Sequence, residues 1–228
     1  MNPVIKILIT VDFFVFFGLG LISPVFAIFF KEDLTGGTVS AVGIATTVYL
    51  LVKAIAQIPI ARFTDRERAN VREFWTLVVG QFIIACVPFL YFVMQDVVQL
   101  YAIQALYGLG AALAFPGFMA IFTKFGDHKN AGFFWSLHST VVLLAMAAAA
   151  AIGGFVGEIY GFHVLLLGVG ALTFLGFFTT LALTLFYEDL RLVNPKGVKP
   201  FWDRAMHFLG RHKHAPPLPP PLGGPLPK

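Results

Sequence analysis

Residues 4–30 read VIKILITVDFFVFFGLGLISPVFAIFF, an apolar run whose ionisable side chains are Lys6 and Asp12. About 20 mainly apolar residues are enough to carry a helix across roughly 30 Å of hydrocarbon. At 1.5 Å per residue this run would reach about 40 Å, so it must tilt or bend, and Gly18, Gly20 and Pro24 supply the place. It holds an acid and is too long for the apolar core of a secretion signal, so it reads as a retained span. Five further stretches of the same kind follow, at 39–62, 74–95, 98–123, 131–157 and 162–187. They are continuous rather than alternating, which argues against barrel strands. The connections are short, so neighbouring spans run antiparallel. The expected fold is an all-α membrane protein, a bundle of six transmembrane helices over 1–190, followed by a tail over 191–228.

Composition agrees. The 228 residues are 58% hydrophobic and 12% charged, about half the charge of an ordinary globular chain. Collagen, disorder, disulfide scaffolds and nucleic-acid binding are thereby excluded for most of the chain. Cys86 is the one cysteine, which leaves no intrachain disulfide and no cysteine metal cluster. Of the 16 Lys and Arg residues, all but Lys31 and Lys53 fall on one side of the expected bundle. By the excess of positive charge on cytoplasmic loops, both termini are expected in the cytoplasm of a multi-pass plasma-membrane protein. Within the tail, Phe201–His214 alternates apolar and basic residues as an interfacial helix does, and seven prolines between Pro216 and Pro227 favour an extended end.

Ionisable groups in hydrocarbon are costly, so each needs a partner or a task. Asp12 and Lys53 lie at similar depths from the basic side on adjacent spans, which predicts an acid–base pair: proton- or substrate-linked, or a static pair fixing the packing. Thr46, Tyr49, Lys53 and Gln57 recur at helical spacing as one polar stripe. Tyr101, Gln104 and Gly108 share a face of the fourth span. Trp135, His138 and Ser139 lie in the basic-side third of the fifth, with Gln81 of the third span at similar depth. For His138 a hydrogen bond to a backbone carbonyl is expected ahead of proton carriage. The fifth span also offers small residues, among them Ala147, Ala151 and Gly154, where another helix can approach closely. No clustered nucleophile and base, phosphate-binding loop or metal-ligand spacing emerges, so neither an enzyme nor a cofactor is expected.

The segment from Gln57 to Arg66 resembles motif A of the major facilitator superfamily, where a glycine is followed four residues later by Asp and a basic residue. Asp65 and Arg66 match; Ala61 stands for the first glycine, Arg68 for the second, and Arg72 supplies a displaced basic group. Gly108 to Ala112 with Pro116 is similar to the family's fourth helix, and Gly153-Gly154 through Gly157 to Tyr160-Gly161-Phe162 to its fifth-to-sixth passage. Two departures stand out. Gln104 occupies the place of a frequent cavity arginine, and Ala149-Ala150 replaces the Gly-Pro of the antiporter motif, so drug/proton antiport is not implied.

The resemblance implies one six-helix half of a fold that usually has two, with solute passing between them as they rock. It places Asp12, Tyr49, Lys53, Gln57, Gln104 and His138 along a substrate or ion pathway, and Asp65, Arg66, Arg68 and Arg72 at a conformational gate. Asp65 would lie near the start of a partner half's fifth helix, a charge–dipole contact worth about 1 kcal/mol. Expected partners are the lipid bilayer, a small organic solute, and a second copy or another half docked through helices two and five. The alternative is a membrane scaffold descended from a transporter half.

Overall fold

The computed structural model describes residues 1–32, 34–65, 69–126 and 130–185. The expectations for the tail at 191–228, and for Arg66 and Arg68, lie outside the described residues. Helix α1 spans Pro3–Ile22, opened by Asn2, whose side chain accepts the Val4 amide at 2.9 Å. Proline at its first turn costs nothing, since that amide has no intrahelical partner. The chain turns at Ser23–Val25 and resumes as α2, Phe26–Glu32. The first apolar run is therefore two helices with the break at Pro24, which has no amide to donate to a continuing ladder. Gly18 and Gly20 do not bend α1; they let it approach α7 and α6.

Helix α3 spans Val39–Thr64, capped by Thr38 accepting from the Ala41 amide at 3.0 Å, and α4 spans Ala69–Val93. Helix α5, Val97–Phe125, is capped by Asp96, which accepts from the Gln99 amide at 2.9 Å. Helix α6 covers Ala131–Tyr160 and α7 covers Phe162–Leu181, running into a 3₁₀ turn at Ala182–Leu185. One residue, Gly161 at φ +81°, links α6 to α7. That backbone conformation is open to glycine at no steric cost. Six of these helices are long and apolar enough to cross a membrane, as the sequence predicts.

The helices assemble as two triplets. Helix α1 packs on α6 and α7, and α5 packs on α3 and α4. The triplets meet mainly along α4 and α7, where Phe82 and Phe89 lie against Phe174 with ring centroids 6.5 and 5.6 Å apart. Lipid tails are as apolar as leucine, so close packing rather than burial from water holds such helices together. Accordingly the tightest crossings use glycine. A Cβ at Gly108 would strike the Tyr49 carbonyl, and one at Gly153 the Leu21 carbonyl.

Burial is uneven. Helices α3 and α6 bury 17% of their most apolar windows inside the bundle, against 56% for α1, α4 and α5. Helix α6 carries two small-residue stripes. Ala145, Ala149 and Gly153 are buried against α1, while Ala147 and Ala151 face outward and Gly154 has open space beside it. On α3, Gly43, Thr47, Leu50 and Ala54 form a corresponding uncovered line.

Candidate functional site

Asp12 sits three turns into α1 and is 8% exposed. His138 lies two turns into α6, and its Nε2 is 2.6 Å from Asp12 Oδ2. The register explains the meeting. The two residues are 126 positions apart, and one stretch further along the same helices Gly20 abuts Met146, at the same offset. Helices α1 and α6 thus run parallel in step, and small residues above the pair bring the two backbones close enough for it to form. An aromatic wall closes over the imidazole: Phe118 and Phe122 of α5 at 5.3 and 5.4 Å, and Trp135 at 6.0 Å.

An ionised Asp12 accepts from Nε2–H, whereas a protonated carboxyl donates to Nε2. In a site walled by hydrocarbon and rings, any charge on the pair is weakly screened.

This corrects two expectations. Asp12 does not pair with Lys53, and His138 does not go to a backbone carbonyl. Similar depth was not enough, because α1 packs against α6 and α7 and not along α3. Lys53 instead lies with its ammonium 5.3 Å from the Phe115 ring centroid and 5.9 Å from that of Tyr49. Both are cation–π contacts, weaker and less directional than an ion pair. The clue to the true partner was the matching small residues of α1 and α6 rather than the spacing of charges.

Two further predicted pathway residues, Tyr49 and Gln104, line a cavity of about 210 Å³ toward the opposite end of the bundle. Tyr49 and Tyr107 line it with rings stacked 4.5 Å apart, together with Thr46, Tyr91 and Gln104. Gln57 is half-buried one turn beyond Lys53 and does not reach the cavity lining. Sequence reading passed over Tyr91 and Tyr107, whose surroundings in the chain are as apolar as any other stretch.

At the basic end Asp65 is exposed and closes α3, its amide donating to the Ala61 carbonyl at 3.0 Å. Arg72 reaches back from α4 to donate to the Phe63 carbonyl at 3.3 Å, with its guanidinium 4.9 Å from the Phe63 ring centroid. It therefore braces the end of α3.

Six membrane-length helices, a buried polar pair in their basic-side third and a ring-lined cavity make up a membrane-type bundle. A profile of the Major Facilitator Superfamily matches residues 8–220. The chain belongs to the Major Facilitator Superfamily of membrane transporters, as the motif resemblance implied. It is similar to "Multidrug resistance protein 1" of Bacillus subtilis (strain 168), with 26% identity over 159 residues. That match covers 70% of this chain and 39% of the relative.

Proposed function

We propose that this chain is one half of a proton-linked transporter of small organic solutes, working by alternating access. The carrying observation is the buried Asp12–His138 pair: a titratable site in the membrane interior, built across two helices and closed by aromatic rings. A proton bound there changes the charge of the pair, and a change of charge in low dielectric is a strong lever on packing. Proton linkage is thus assigned to Asp12 and His138, with Lys53 as a separate cation. The relative's name supports organic solutes as the cargo.

The uncovered faces of α3 and α6 support docking to a second half, either another copy of this chain or a different six-helix bundle. The distribution of Lys and Arg supports a plasma-membrane orientation with the start of α1 at the cytoplasm.

The test is uptake of a panel of radiolabelled organic solutes into proteoliposomes with an imposed pH gradient. Wild type should concentrate at least one solute. Asp12→Asn and His138→Gln should each abolish concentration while leaving equilibrating exchange of that solute intact. Undiminished concentration by Asp12→Asn defeats the proton linkage, and no movement of any solute by wild type defeats transport.

A further inference from the structure

The cavity between the triplets is partly open and is lined from α1, α3, α4, α5 and α7. None of its lining residues is charged. Gln104 lines it while being only 4% exposed, and among the described residues no protein group hydrogen-bonds its side chain. Its amide borders the cavity and so keeps its hydrogen-bonding capacity for a bound molecule offering one donor or acceptor. Beside it lie the stacked rings of Tyr49 and Tyr107, the Tyr91 ring, and the aliphatic side chains of Ile84 and Val87.

We infer that this cavity is a binding site for an uncharged aromatic solute bearing one hydrogen-bonding group, which meets Gln104 while its ring lies against the tyrosines. Size fits: an apolar cavity of about 150 Å³ takes up benzene, so this one has room for one or two fused rings. Charge is selected against in both senses. An anion or a cation would be desolvated among apolar walls with no counter-charge lining them. The inference rests on the pathway reading of Tyr49 and Gln104 and names its solute class, while binding itself needs neither a proton nor a second half.

The experiment uses the full chain in lipid nanodiscs and four matched probes: naphthalene, 2-naphthol, 2-naphthoate and 2-naphthyltrimethylammonium. Equilibrium binding is measured at pH 7 and corrected for uptake by empty discs. 2-Naphthol should bind about tenfold more tightly than naphthalene, and both charged probes more weakly than either; tenfold is the scale of one good neutral hydrogen bond. Gln104→Leu should bring 2-naphthol down to the level of naphthalene while leaving naphthalene binding unchanged, which also shows that the variant is folded. Val169→Phe, which fills the cavity from α7, should weaken both uncharged probes together. The inference is overturned if a charged probe binds as well as 2-naphthol, if Gln104→Leu leaves the ratio intact, or if no probe binds above empty discs. Uptake in proteoliposomes can fail or succeed separately from each of these results.

Discussion

A carboxylate in the membrane interior is defined by what it touches. Asp12 touches His138, and the consequences differ for the two partners. Removing the imidazole strands a buried acid, whereas neutralising the acid removes that buried charge altogether. His138→Ala should therefore cost about 3 kcal/mol of stability and Asp12→Asn distinctly less. Reversible unfolding of the detergent-solubilised protein in SDS measures both. The same experiment separates the partners of Asp12. Asp12→Asn combined with Lys53→Met should be additive to within about 0.5 kcal/mol, while Asp12→Asn combined with His138→Ala should not. Strong coupling to Lys53 would contradict the geometry. Asp12, Lys53 and His138 were each conspicuous in the sequence, because ionisable groups stand out in apolar runs. Their pairing was not, since depth along a helix follows from counting residues but azimuth and neighbour follow only from how the helices pack.

The six membrane-length helices were plain in the chain because apolar runs of about 20 residues have few alternative readings. The interruption at Pro24 was foreshadowed, although bending had been spread over Gly18 and Gly20 as well, and those glycines serve contact with α7 and α6. What composition could not disclose is that the small residues of α6 form two stripes with opposite destinations. A valine on the inner stripe meets backbone: Gly153→Val would drive its side chain into the Leu21 carbonyl and should destabilise the fold by about 3 kcal/mol, the upper range for overpacking. A valine on the outer stripe meets open space, so Gly154→Val should leave stability within about 0.5 kcal/mol of wild type. Thermal unfolding monitored by circular dichroism compares them. Equal losses would mean that the two stripes are not distinct.

For the molecule entire, the uncovered faces of α3 and α6 set the geometry of any second half. Thr47 lies 17 residues before the end of α3, and Ala147 lies 16 residues after the start of α6. Both are then about 25 Å from the basic end at 1.5 Å per residue. If two copies pair about an axis normal to the membrane, α3 of one meets α6 of the other at equal depth. In a Cys86→Ser background, Thr47→Cys with Ala147→Cys should form an intermolecular disulfide on mild oxidation, seen as a dimer on non-reducing gels and as twice the chain mass in native mass spectrometry from nanodiscs. Each single cysteine should give at most homotypic traces. A strict monomer with both cysteines reduced would instead direct the search to a different bundle as the partner half.

The two triplets have a mechanical meaning. Within each, glycine brings main chains into contact, and such crossings are stiff because no side chain can yield. Between them the join is made of phenylalanine rings along α4 and α7, with the cavity beside it, and rings can slide and flip. The half therefore resembles two rigid plates glued by a compliant layer. Thermal breathing should concentrate in that layer, and a guest molecule lodged there should stiffen the whole block as a shim stiffens a loose joint.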